Sequence, residues 1–428
     1  MRPRRYQPVG AETNQPAVRK HRPDYQIVLF MGLLMLLGLI VIYAIGPQRA
    51  QVLNEAYGAD YSAMYFFGKQ VISLALAVAV FVAVAKLPFH WLQRHAQNLF
   101  VIGLILSAIL AIAGWTGMGI AQCSLGACRW FDLGPLGSVQ PAEFLKFSLL
   151  IFCAGFIARR SKQGMVNDLY KTLLPLGAIL TIVAIFVIGI QKDMGTGIAI
   201  MAIVAVIMVA AGISVRVGGA LLVGALVFSI LMIVIAPHRM ERIAAFIQGD
   251  NASVSDPSVY HIIHAKIAIG SGGLTGVGIG NSVQATGYLP EAINDSVFAI
   301  MGETFGFVGL VLVLILFTAL LFRLLRVADR LPGEAERLLV VGVFGWLAAH
   351  VILNVAAMTG IFPLTGITLP LLSFGGTSMV FMAGALGLAF QLSAYTLHGS
   401  TNEGGDYENS RRRRGLGRTR HASRSGRF

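Results

Sequence analysis

The chain has 428 residues, 56% of them hydrophobic and 12% charged, with a mean hydropathy of +0.73. Soluble domains carry about 25% charged residues, so a soluble globular fold is excluded and an integral membrane protein is implied. The net charge of +13 is no signature of nucleic-acid binding, because much of it sits in the two terminal segments, and three cysteines are too few for a disulfide framework.

Residues 1–24 form a basic arm with Arg2, Arg4, Arg5, Arg19, Lys20 and Arg22. Ten apolar stretches follow at about the 20-residue length that crosses a bilayer as helix. They are 25–46, 65–85, 97–116, 142–158, 172–190, 195–212, 217–236, 297–325, 337–360 and 370–396. The first is too long for a signal peptide, and no small-residue cleavage site follows it. No segment shows the roughly 10-residue alternation of outer-membrane barrel strands. The expected fold is therefore all-α, ten transmembrane helices over 25–396 with one long extracytoplasmic loop, 237–296, between helices 7 and 8.

Lys and Arg gather in the N-terminal arm and in the loops after even-numbered spans, among them Lys86, Arg94, Arg159, Arg160, Lys171, Arg216, Arg326 and Arg337. The positive-inside rule then puts both termini in the cytoplasm. Residues 397–428, with Arg411 to Arg414 among Gly and Ser, are expected to be a disordered cytoplasmic tail suited to anionic lipid or an acidic partner.

Charges are costly at membrane depth, so the ionisable groups there are the informative ones. The loop after span three reads CSLGACRWFDLGPLGSVQPAEFLKFSLL, residues 123–150. Pro141 suits the first turn of a helix, which sets Glu143 near the positive end of its dipole. Glu143 and Lys146, three residues apart, share a helix face. They read equally as a structural ion pair or as part of a site. Arg129 and Trp130 nearby suit a lipid pyrophosphate and a sugar, although aromatic residues also populate interfaces with no such role. Cys123 and Cys128 share this extracytoplasmic loop, where a bond can persist, and the sequence leaves the bond open.

The long loop holds HIIH, residues 261–264, then IGSGGLTGVGIGNSVQ, residues 269–284, then YLPEAINDSVF, residues 288–298. The glycine run has neither the P-loop nor the dinucleotide spacing; it fits a segment where backbone approaches backbone or ligand closely. His261 and His264 are expected to be polar-face residues rather than metal ligands. His350 and Asn354, one turn apart in span nine, are expected to bond to neighbouring helices. The last outer turn, GIFPLTGITLPLLSFGGTS, residues 360–378, has the Pro and Gly interruptions of a broken helix lining a cavity.

These segments resemble the SEDS family (shape, elongation, division and sporulation), polytopic glycosyltransferases that polymerise peptidoglycan from lipid II. Five ordered motifs carry the likeness: RWFDLG with QPAEFLKF, QKDMGTG, the glycine run ending in GNSVQ, YLPEAINDSVFAIMGETFGFVG, and FPLTGITLPLLSFGGTS. The GNSVQ form is closer to the FtsW branch than to RodA. Departures are Ile293 and Asn294 in place of His-Thr, Ser296 in place of an aromatic, Thr304 and Ala285 in the flanking motifs, and Lys192 in place of a proline.

The resemblance implies transfer of a disaccharide-peptide between polyprenyl-pyrophosphate-linked chains at the outer face of the bacterial cytoplasmic membrane, at the division septum. Asp295 corresponds to the family's essential loop aspartate and is the candidate base. Lys146 and Arg129 would offset phosphate charge, Glu143 would position Lys146, and Trp130 would contact lipid or sugar. Gln140, Glu291, Ser373, Gly375 and Gly376 complete the expected substrate site. A metal is unknown and a divalent cation, magnesium or manganese, is left open; no other cofactor is implied. Expected partners are lipid II, a class B penicillin-binding transpeptidase and division proteins, with no nucleic acid. A lipid II flippase and a non-catalytic scaffold are the alternatives.

Overall fold

A computed structural model describes residues 18–20, 22–124, 127–134, 137–221, 223–224 and 257–397. Among these, seven helical stretches are long and apolar enough to cross a membrane. They are α1 (Tyr25–Tyr57), α2 (Tyr65–Lys86), α3 (Phe89–Thr116), α4 (Pro141–Lys162), the stretch Leu169–Ile190 around α5 (Leu174–Ala184), α8 (Val297–Arg330) and α9 (Glu334–Met358). Two shorter apolar helices, α6 (Met194–Ala210) and α10 (Gly376–Leu392), coincide with spans six and ten. A further helix, α7 (Pro257–Ser271), lies in the segment read as a long loop. Span seven beyond residue 224, the first part of that loop, the arm to residue 17 and the tail from 398 lie outside the described residues.

The helix ends follow local chemistry. Asp24 caps α1 by accepting from the Gln26 amide at 3.1 Å, and Pro141 occupies the first turn of α4, where its missing N–H costs nothing. Helix α3 begins at Phe89 rather than 97, because its first turns carry His90, Gln93, Arg94 and His95, a helix too polar for an apolar run to reveal. Span ten begins at Gly376 rather than 370, and the residues before it are turns.

The helical protein also carries two small sheets. Strands β2 (Ala121–Ser124), β3 (Ala127–Asp132) and β4 (Ser138–Val139) form an antiparallel sheet after α3. Cys123 and Cys128 face each other across β2 and β3 and are bonded. Strand β1 (Val18–Lys20) pairs antiparallel with β5 (Tyr395–Leu397), so both ends of the described bundle meet on one face.

Helices α4 and α9 run through the middle and are buried on nearly every side, whereas α1, α2, α3 and α8 expose apolar residues such as Leu29, Ile72, Ile105 and Val308 outward, as lipid-facing helices do. Helix α10 packs on α2, α3 on α4, α7 on α8, and α9 on α4, α6 and α8. On the face of β1, Asp24 receives Arg323 and, through its backbone N–H, bonds Ser393, while Arg337 donates to the Ala210 carbonyl at 2.9 Å. The loops rich in Lys and Arg lie on this side. All five motifs lie on the other.

Candidate functional site

The site is built around α4 and α9. Lys146, 0% exposed, places its Nζ 2.8 Å from Glu143 Oε1 and 3.2 Å from His350 Nε2, and 5.1 Å over the Trp346 ring. Trp346 Nε1 donates to the same His350 nitrogen at 3.2 Å, so Nε2 accepts two donors and the imidazole is neutral, with its proton on Nδ1 towards the Thr368 carbonyl. Glu143 Oε2 is buried without a hydrogen-bond partner among the described residues. A buried charge is tolerable only when paired, and here one cation, one carboxylate and two rings form a closed unit. The ammonium is engaged on every side rather than presented to an open surface.

The sheet holds the next corner. Arg129, half-buried on β3, donates from Nε to the Gln191 carbonyl at 3.2 Å and from Nη2 to that of Lys192 at 3.0 Å. Asp193 caps α6, accepting from the Thr196 amide and hydroxyl, and takes a further bond from Gln140 Nε2 at 2.9 Å. RWFDLG, QPAEFLKF and QKDMGTG are thereby one bonded unit. Trp130 lies beside Arg129 on β3, half-buried and opposite Gln122.

Asp295 stands in a turn, 290–296, just ahead of α8. Asn354 Nδ2 reaches from α9 to the Asp295 carbonyl and to that of Ile367, both at 2.7 Å, and the Phe374 amide donates to the Ile293 carbonyl at 2.8 Å. Ser373 folds the closing turn upon itself by accepting from the Leu369 amide at 2.9 Å, and Gly375 and Gly376 then lead into α10. One turn along α9 separates Asn354 from His350, so a single helix face connects the Asp295 turn to the Lys146 cluster. Glu291 is exposed, with φ of 50°, and its side chain accepts from Asn294. Because residues 290–296 form a turn and not a helix, Glu291 and Asp295, four residues apart, do not share a helix face.

The glycine run docks on the start of α8. The Val277 and Gly278 amides donate to the Glu303 and Thr304 carbonyls, and the Phe307 and Val308 amides to those of Gly273 and Leu274. A Cβ on Gly276 would fall 2.2 Å from the Thr304 oxygen, and α8 breaks its helical geometry at Gly306 to admit the run. The buried Glu303 carboxylate accepts from the Ser282 hydroxyl at 2.5 Å and from the Val283 and Gln284 amides. His264 bonds Gln284 and His261 bonds Ser296, so the two histidines serve different partners.

Asp193, Glu303 and Asn354 were not among the residues that the sequence marked for the site. Each acts by gripping main chain or a distant motif. For Glu303 a signal existed: a carboxylate early in an apolar span must have a buried partner.

The fold and site define a polytopic helical membrane protein whose polar side chains converge on one face. Its sequence matches the FtsW, RodA and SpoVE family model, described as cell cycle protein, over residues 25–398. It is 33% identical over 413 residues, 95% of this chain and 99% of the relative, to the probable peptidoglycan glycosyltransferase FtsW of Nitrosomonas europaea. Stage V sporulation protein E of Bacillus subtilis is 31% identical over 88% of this chain and 99% of its own. Among solved structures, the rod shape determining protein RodA of Thermus thermophilus superposes with a TM-score of 0.62 at 25% identity, over 87% of this chain and 96% of that one. A chain from work on the structural coordination of polymerization and crosslinking by a peptidoglycan synthase complex shares the fold, with a TM-score of 0.64 at 24% identity over 87% and 97%. The chain belongs to the FtsW/RodA/SpoVE family.

Proposed function

We propose that this protein is a peptidoglycan glycosyltransferase that polymerises lipid II into glycan strands for cell division. The observation that carries the reading is the convergence of all five motifs on one face, with Asp295 held at the head of α8 by tethers from α9 and the closing turn. In this reading the face bearing β1 is cytoplasmic, ten helices cross the membrane, and the site opens to the outer side.

Asp295 takes the proton from the attacking 4-hydroxyl as that oxygen bonds the anomeric carbon of the second chain and the bond to its pyrophosphate breaks. Glu143 and Lys146, being enclosed, act from within the bundle: they fix α4 against α9 and contribute a field rather than a direct phosphate contact. Arg129 and Gln140 hold the α6 corner that frames the substrate, and Trp130 and Glu291 border it. Ser373, Gly375 and Gly376 shape the wall opposite Asp295. No group of three His, Cys, Asp or Glu side chains able to hold a metal occurs among the described residues, so no residue is assigned to a divalent cation.

A class B penicillin-binding transpeptidase is the expected partner, since a polymer of lipid II must be cross-linked and this chain carries no second catalytic domain within its matched span. The basic tail is proposed to recruit division proteins at the septum. Purified protein with that partner and lipid II is expected to make glycan strands, and Asp295→Ala to make none. Lipid scrambling in vesicles without strands, or strands from Asp295→Ala, would overturn the reading.

A further inference from the structure

Ser296 occupies the N-cap position of α8, where a serine hydroxyl ordinarily accepts from an amide in the first helical turn. It makes no such bond. Its hydroxyl instead turns back 2.7 Å to the Pro290 carbonyl, and His261 on α7 approaches the same oxygen, Nε2 to Oγ 2.6 Å. The Pro290 oxygen can only accept, so the Ser296 proton is committed to it. Ser296 Oγ must then accept from His261, which carries a proton on Nε2.

The bond from Ser296 to Pro290 closes the turn that contains Asp295, and His261 is the side chain that orients it. Ser296 is 0% and His261 8% exposed, so water does not substitute readily at this contact. The turn needs such support. Glu291 sits at φ 50°, a left-handed conformation that strains a non-glycine residue and persists where surrounding contacts over-determine it. Asn354 holds the Asp295 carbonyl from α9, and the Phe374 amide holds that of Ile293 from the closing turn. His261 supplies the third tether, from a third direction, beside the residue that follows Asp295.

We propose that His261 is a positioning residue for Asp295, acting through Ser296 to hold the turn in which the carboxylate faces its substrate. The inference rests on the reading of Asp295 as the catalytic base. Its effect is on the chemical step rather than on lipid binding, because displacing a base by a fraction of an ångström lowers kcat while the remaining substrate contacts persist.

The test is initial-rate polymerisation against lipid II concentration for wild type, His261→Leu, His261→Gln, Ser296→Ala, the His261→Leu/Ser296→Ala double variant and Asp295→Ala, each with its melting temperature. His261→Leu is expected to lower kcat about tenfold or more with KM within about twofold. The glutamine amide, which can donate to Ser296 as Nε2 does, is expected to restore most of the rate. The double variant should be no slower than the slower single variant, since both interrupt one tether. The proposal is overturned if His261→Leu keeps wild-type kcat, if His261→Gln is as slow as His261→Leu, if the losses multiply, or if they merely follow the melting temperature. Failure of the base reading looks different: Asp295→Ala would then polymerise, whatever the histidine variants do.

Discussion

Replacing Lys146 by methionine removes a charge from the centre of the bundle while nearly conserving volume, so the electrostatic consequence is separable from a cavity. The lost contacts are the 2.8 Å ion pair to Glu143, the 3.2 Å bond to His350 and the position 5.1 Å over Trp346. What dominates is the group left behind. Glu143 is 4% exposed at its side chain, and its second oxygen already has no partner among the described residues. Removing one member of a buried pair costs about 3–5 kcal/mol, whereas removing both charges is often close to neutral. Lys146→Met is therefore expected to lose about 3–5 kcal/mol, a large share of the roughly 5–15 kcal/mol that holds a protein folded. Lys146→Met/Glu143→Gln should recover most of it. Unfolding of the purified protein in detergent, followed by a folded-state probe, measures both. A Lys146→Met variant within about 1 kcal/mol of wild type, or a double variant no more stable than the single, would refute the buried-charge argument.

Two further outcomes are expected. Gly276→Ala should yield little folded protein, because its Cβ would meet the Thr304 oxygen at 2.2 Å; Gly280→Ala, at a similar φ of 84° with nothing within 4 Å, should cost only about 1–2 kcal/mol of backbone strain, as thermal unfolding of the two would show. The Cys123–Cys128 bond spans a sequence separation of 5, for which the chain-entropy model gives about 2 kcal/mol. Dithiothreitol should thus lower the stability of wild type but leave Cys123→Ser/Cys128→Ser unchanged.

The membrane helices were legible because a bilayer imposes length and apolarity on any segment that crosses it. The same signal hides where a helix continues into water: α1 runs on to Tyr57 and α3 begins at Phe89, both through polar turns. The sheet at residues 121–139 was read only as the loop after span three, since strands of two to six residues leave little periodicity. Glu143 and Lys146 were legible as a pair because three residues on a helix suffice to join them. That His350 joins them from more than 200 residues away was not, and neither was the grip of Asn354 on Asp295, because a carbonyl partner has no identity in a sequence. Nor were the bonds of His261 to Ser296 and of His264 to Gln284 legible, since the partners lie 35 and 20 residues away in the chain.

In the turn at 290–296, the departures at Ile293 and Asn294 leave the bonds to Asn354 and Phe374 in place. Ile293 is 3% exposed and contributes its carbonyl to the Phe374 amide, a bond that any residue at that position makes. Asn294 spends its side chain on Glu291, inside the turn, and its amide on the Glu291 carbonyl. The tethers that cross from other elements end on the carbonyls of Ile293 and Asp295 and on the hydroxyl of Ser296. These tethers therefore do not run through the side chains at 293 and 294. At Ser296 the side chain does carry one, because its hydroxyl is held from another element by His261.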